Sequence, residues 1–504
     1  MMDGAQGSGL NEPPQEPTPQ LEQSQGADSP REHEPTILSY NWNTFPSELR
    51  FIILKELSKV QSEETSDQKG LLPTVCAEWQ DFFEKRNFET LKLQSRDDII
   101  TLRDYVIDRR QMYVKIIWLS LELGSYSCDV CSEEEDAEEI LHNNSVFDSQ
   151  LTLLLDVISD WNLEKGDRRH SGLHLCFSAK SPDDTAHYFR VNSRIRHLSD
   201  RLSWFDYESA AIHGARKRTV GNLLDFKTAA FNLTNSVGNE SNVSPVVSRA
   251  AIVKRFSNED CRTLSENAIR VLLWRLNNLE AIEYRPWRGV DMSDQLERDD
   301  ANAALLESLP PTVKKVKLWE VRCDRFHGRY DKSEHSRRVA RAAVRACRRL
   351  ISFSSLDVLN AMHFFHEVIQ LSVPPLLYDP ERWSCLRHLA LTSSDMNPRL
   401  NAEYTQELLR HGALAALHLP NLKLMELWRN WKRAAILFKY EVLDYSVHIS
   451  YGASWDVELR DDVLDGWKIV AERHGHTRVD IRTSIIESVT GNSDVSTLLR
   501  VNSF

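Results

Sequence analysis

The chain is poor in the features that most readily announce a function. It has 504 residues and eight cysteines, and carries a formal net charge of −12. Eight cysteines in so long a chain are too sparse for a disulfide framework and fit a reducing compartment. The sequons Asn232-Leu233-Thr234 and Asn242-Val243-Ser244 then have no glycan to carry, since glycosylation needs the secretory route. No apolar run approaches the roughly 20 residues that cross a bilayer. The opening "MMDGAQGSGL" lacks a charged n-region and an apolar h-region. The acidic balance disfavours nucleic acid or an anionic membrane as the main partner. There is no Gly-rich phosphate loop, no G-x-S-x-G elbow and no H-E-x-x-H. A cytoplasmic or nuclear protein is expected, not an enzyme, with neither cofactor nor metal.

What is present is organised along the chain. Residues 1–39 are rich in Pro, Gln, Ser and Glu, a composition that cannot bury enough apolar surface to offset ordering entropy, so a disordered tail is expected. Residues 40–95 read as a compact helical unit: a first helix, the polar loop "SKVQSEETSDQKG", and a second helix around "PTVCAEWQDFFEKR". Beyond it, over 96–250 and then 251–504, short apolar β-like runs alternate with helical patterns. They include "FETLKLQ", "YVKIIWLSLEL" and "GLHLCFSA", and later "LEAIEYRPW", "PTVKKVKLWE", "FSSLDVL", "CLRHLALTSS" and "PNLKLMELW".

The later runs repeat. "SLPPTVKKVKLWE" and "HLPNLKLMELWR" share Leu-Pro at a helix end, a few residues, then an apolar strand. Strand centres fall near Ile282, Val316, Leu356, Leu389 and Met425, a spacing of roughly 35 residues that lies in the solenoid range. A right-handed strand–helix–strand repeat stacks its strands in parallel and its helices on one face. The fold class expected is α/β: a three-helix unit, then an irregular leucine-rich-repeat-like α/β solenoid. An ordinary open α/β sheet is the alternative.

The first helix poses a question. In "TFPSELRFIILKEL", Pro46 suits the first turn and Glu48 the positive helix end. Apolar residues then surround the helix: Leu49, Ile53 and Leu57 on one face, Leu54 and Phe51 opposite, and Ile52 on the flank. A helix apolar nearly all round must be covered nearly all round. Phe45-Pro46-x-Glu48-Leu49, Ile53-Leu54 and Leu57, followed by Val75-Cys76-x-x-Trp79, resemble an F-box. The phrases "YVKIIWLSLELGSYSCDVC", "SENAIRVLLWRLNNLEAIEYRPWRG", "LLESLPPTVKKVKLWE" and "WSCLRHLALTSSD" resemble the C-terminal halves of fungal F-box proteins. The resemblance implies a Skp-binding surface made by Phe45, Pro46, Leu49, Ile52, Ile53, Leu54, Leu57, Val75, Cys76 and Trp79. It implies an adaptor of a Skp–cullin–F-box ubiquitin ligase, with the Skp adaptor and cullin core as partners and a protein substrate held by the C-terminal domain. A scaffold for protein interactions outside any ligase is the alternative.

Candidate substrate contacts follow from the repeat. Tyr284 and Trp287, Trp319, and Trp428 and Arg429 stand at equivalent points after three strands. Stacking the units should gather them on one edge, and Trp, Tyr and Arg are enriched at binding hot spots. The indoles are expected to face a shared groove at least in part; plugging the ends of the core is the other reading.

Three further features have plain and sharp readings. Cys128-x-x-Cys131 with His170 and His174 has half the form of a zinc site, against an acidic loop with free thiols. "SRRVARAAVRACRRL" sets Arg337, Arg338, Arg341, Arg345, Arg348 and Arg349 within a ~120° arc, opposite Val339, Ala343, Cys347 and Leu350, if all of it is helical. That is a solvated face or a dock for an acidic or phosphorylated partner. His363 and His366 share a helix face, with no further metal ligand evident.

Overall fold

The computed structural model describes residues 41–63, 71–131, 133–161, 164–165, 168–169, 171–184, 221–226, 248–258, 262–320, 336–372, 383–397, 400, 402–431, 434–444, 446–456 and 458–485. The expected N-terminal tail lies outside them. The chain divides into two compact units, 1–68 and 69–504, so the boundary falls inside the segment read as one helical unit.

In the first unit Asn41 caps a 3-10 turn at Trp42–Thr44, and Pro46 starts the first turn of α1 (Ser47–Glu63). The helix outruns the expected loop, continuing six residues past Leu57. "SKVQSE" contains no Gly or Pro to stop it, and Lys59 pairs with Glu56 one turn back.

The second unit starts with α2 (Ala77–Asn87), β1 (Thr90–Leu93), α3 (Arg96–Tyr105), α4 (Arg109–Tyr113) and β2 (Ile116–Glu122). Glu84 accepts hydrogen bonds from Arg109 and Arg110, which ties α2 to α4. Next come α5 (Ala137–Ser159), the two-residue strands β3 (Glu164–Lys165) and β4 (Arg168–Arg169), β5 (Leu173–Lys180) and β6 (Val253–Asn258). A capping box, Asp136 with Glu139, starts α5, each side chain satisfying an amide that the helix leaves open. Strands and helices then alternate: α6 (Glu266–Arg275), β7 (Ala281–Tyr284), α7 (Met292–Glu307), β8 (Lys315–Trp319), α8 (Ser336–Ala346), β9 (Ser352–Leu356), α9 (Ala361–Ser372), β10 (His388–Thr392) and α10 (Ala402–Ala416). The chain closes with β11 (Leu424–Trp431), β12 (Ala434–Leu443), β13 (Ser446–Ala453), α11 (Asp461–Arg473) and β14 (Val479–Ile485).

Twelve strands form one open sheet in the order β1-β2-β5-β6-β7-β8-β9-β10-β11-β12-β13-β14. Every neighbouring pair is parallel except β11–β12 and β12–β13. The stacking was expected to be parallel throughout. It departs here because β11 and β12 are two residues apart and so are β12 and β13, while a parallel crossover needs about a dozen residues. Successive helices from α6 to α11 pack side by side, as crossovers of one hand require.

Register explains the core. One row of residues crosses the sheet from Leu91, Ile117, Leu175, Phe256, Ile282 and Val316 to Phe353, Leu389, Met425, Tyr440, Ile449 and Ile481. Its members from Ile117 to Ile449 are buried among the apolar faces of the helices. Four of the five expected strand centres lie on it. The fifth is corrected: Phe353 takes the place in the row and Leu356 is the last residue of β9, because the serines around Phe353 blur the apolar run. One residue further along each strand the side chains point to the opposite face. There the row reads Trp118, Cys176, Ser257, Glu283, Lys317, Ser354, Ala390, Glu426, Lys439 and Ser450.

Candidate functional site

In the first unit α1 is covered on one side only. Leu54 and Ser58 are buried, whereas Leu49, Phe51 and Ile52 are 48%, 57% and 53% exposed. Phe45, Ile53 and Leu57 are half-buried and Pro46 is exposed. The chain by itself therefore leaves part of this helix uncovered. Large apolar side chains left exposed this close together in the chain are the kind of surface that marks an interface. Phe51 is exposed with Leu49 and Ile52, although it is not among the residues expected to meet Skp. In the second unit Val75 is exposed, Cys76 is exposed and Trp79 is half-buried.

A second site lies within the second unit, where the C-terminal ends of β7 and β8 meet the first half of α7. Asp291 caps that helix by accepting from the Asp294 amide. The helix is inverted: Gln295, Arg298, Asp299 and Asn302 are buried, while Met292 and Leu296 are exposed. Positions i, i+3, i+4 and i+7 share a helix face, so a polar stripe has taken the place of the apolar one. Gln295 organises it. Its amide nitrogen donates to Asp299 Oδ1 at 2.7 Å and to Glu320 Oε2 at 3.1 Å, and its oxygen accepts from the Gly289 amide at 2.8 Å. A side chain on Gly289 would meet the α7 backbone at Gln295, so this close approach requires glycine. Glu320, directly after β8, also faces Arg288 at 4.0 Å.

Arg298 donates from Nη2 to the Gly221 carbonyl at 3.1 Å. Burial pulls the guanidinium below its ordinary value, while Asp294, Tyr284 and Glu320 raise it. Nearby, Arg262 donates to Glu135 at 2.8 Å with both side chains buried. Glu135 also accepts from Asn143 and Asn222. The site contains no nucleophile paired with a base; what it offers is charged and amide hydrogen-bonding groups.

The structure brings three expected substrate residues to this end of the sheet. The buried Tyr284 hydroxyl accepts from the Leu264 amide at 3.0 Å, the Trp287 amide donates to Thr263 Oγ1, and Trp319 lies under Arg285 and Lys317 at 5.4 and 5.5 Å. Trp428 and Arg429 stand three strands away, Trp428 in register with Thr392 and Arg429 ion-paired with Asp357. Trp287, Trp319 and Trp428 are 9%, 9% and 6% exposed, so they do not open onto a shared groove. Their apolar rings are worth more covered than in water. The stripe on α7 went unread because polar residues at helical spacing normally signal a solvated face.

The remaining features resolve as follows. Cys128 is exposed and Cys131 buried, while His174 sits in β5 with Nε2 3.0 Å from Ser257 Oγ and 3.5 Å from Cys176 Sγ. His170 lies outside the described residues, and among those described no group of three or more His, Cys, Asp or Glu is placed to hold a metal. In α8, Val339 and Ala343 are buried and Arg337, Arg338, Arg341 and Arg345 exposed. The helix stops at Ala346, so Arg348 and Arg349 leave it. Arg338 pairs with Asp300, Arg341 with Glu367, and Arg349 donates to the Leu309 carbonyl. The His366 ring lies against that of His411, tilted by 57° with centroids 4.7 Å apart. No described helix is long and apolar enough to cross a membrane.

A family of unknown function, DUF6546, matches residues 308–503. The matched stretch runs from the end of α7 through β14, and covers neither α1 nor the first half of α7. Among curated proteins none matches the chain.

Proposed function

We propose that the protein is an F-box adaptor, the substrate-recognition subunit of a Skp–cullin–F-box ubiquitin ligase, whose second unit is a leucine-rich-repeat-like solenoid that binds a protein substrate. The observation that carries the reading is the exposure of Leu49, Phe51 and Ile52 on α1, which follows the sequence pattern that resembles an F-box. Exposed Val75 and Cys76 agree with it. The solenoid part is supported by a strand order that follows chain order and by the side-by-side helices. The adaptor role needs no catalytic centre in this chain, no cofactor, no nucleic acid and no membrane.

Co-purification with Skp is the test. Wild-type protein should retain Skp, and Leu49→Asp with Ile52→Asp should lose it while the circular dichroism of the chain is unchanged. Both side chains are exposed in the free chain, so the carboxylates harm only the complex, where each would be an unpaired charge in an apolar groove. Failure of the wild-type protein to bind Skp where other F-boxes bind would leave an interaction scaffold outside the ligase.

A further inference from the structure

The buried stripe on α7 holds a guanidinium that no described carboxylate hydrogen-bonds. Arg298 is 3% exposed, and arginine stays protonated near neutral pH, so it cannot escape burial by neutralising. Its single hydrogen bond among the described residues goes to a neutral peptide carbonyl; Nε and Nη1 are shielded from solvent with no acceptor. Asp294 and Glu320 favour its charge from a distance without bonding it, and the carboxylates nearby are engaged elsewhere: Glu320 with Gln295 and Arg288, Asp299 with Gln295, and Glu135 with Arg262. One turn along the same face, Asn302 is fully buried with both amide atoms unpartnered. A buried guanidinium with two unused nitrogens beside an unsatisfied amide is unfavourable unless something supplies acceptors. The stripe starts, at Gln295, beside the C-terminal end of β8, the side on which ligands of open α/β sheets collect.

We propose that Arg298 and Asn302 form the floor of a binding site for a small anionic oxygen group, a phosphate or a carboxylate, held between α7 and the ends of β7 and β8. The anion takes N–H donors from Arg298 Nε and Nη1 and from the Asn302 amide. Charge-assisted bonds of this kind are about twice as strong as neutral ones. The site is independent of the adaptor reading and of Skp binding.

The test is thermal unfolding of the full chain in chloride, acetate and inorganic phosphate at matched ionic strength. A ligand that binds only the folded state raises the melting temperature with its concentration. The expected result is a rise of several degrees over chloride, with phosphate alone if the site is built for phosphate and with acetate as well if it takes carboxylates. Arg298→Met, which keeps the stem and removes the donors, should abolish the rise. Asn302→Leu should move its midpoint several-fold to higher anion concentration, and serves alone if Arg298→Met does not fold. No rise over chloride, or an equal rise in whichever variants fold, overturns the proposal.

Discussion

The two faces of the long sheet differ by one residue of register and by almost everything else. On the helix side, Val316, Phe353, Leu389 and Met425 stand side by side in the apolar core. On the other side their immediate neighbours, Lys317, Ser354, Ala390 and Glu426, form a row of mixed charge and small size, with Glu283 facing Lys317 at 3.7 Å and Glu426 facing Lys439 at 4.0 Å. A one-residue slip of any strand would exchange the two rows, so burial on one face fixes the register of all. Cohesion on one face and polar chemistry on the other are thus written by alternate letters of the same short segments.

The comparison can be broken most severely at Phe353. Phe353→Asp places a carboxylate in the core with no partner and should cost upwards of ~4 kcal/mol, seen as loss of soluble protein or of a cooperative unfolding transition. Leu389→Ala, in the same row, removes buried methyl groups and should cost ~2–5 kcal/mol by urea denaturation. Next door, Ser354→Ala should change stability by no more than ~0.5 kcal/mol, with any change favourable, because the buried Ser354 hydroxyl has no hydrogen-bond partner. A large loss at Ser354 would mean that the second row carries as much of the fold as the first.

The smallest expected effect is a pH dependence at the C-terminal end of the helix side. His474 bonds the Tyr440 hydroxyl and the Ala416 carbonyl, and burial holds its pKa below the ordinary 6.5. The backbone bond from Ala416 opposes this and neighbouring His476 adds to it. A histidine that prefers to be neutral when folded takes up protons on unfolding, so stability is complete above pH 6.5 and falls as pH drops below it. His388, His418 and His366 are shifted the same way, each chiefly by burial. The melting temperature should decline between pH 7.5 and 5.5, and His474→Gln should flatten that slope in part.

The strands were legible because Val316, Leu389 and Met425 sit in apolar runs at a repeating interval, and burial on one face forces such a pattern. The antiparallel turn at β12 was not, since apolar pattern carries no direction. Apolarity all round marked α1 as unusual, yet sequence could not say which sides would be covered, and Phe51 fell on the open one. The α7 stripe was hidden for a deeper reason. Hydrophobic periodicity assumes that buried means apolar, so by that rule Met292 and Leu296 would face inward in place of Gln295, Arg298 and Asn302. Conflict of this sort between local pattern and global fold is expected at functional sites.

The strand order bears also on how the chain is made. Because sheet neighbours are sequence neighbours from β5 to β14, each strand arriving from the ribosome finds its partner already in place. The entropy of closing a connection grows only slowly with its length, and contacts between near neighbours in sequence speed folding. The sheet can therefore grow strand by strand in the direction of synthesis, each new strand adding to the edge that the previous one left.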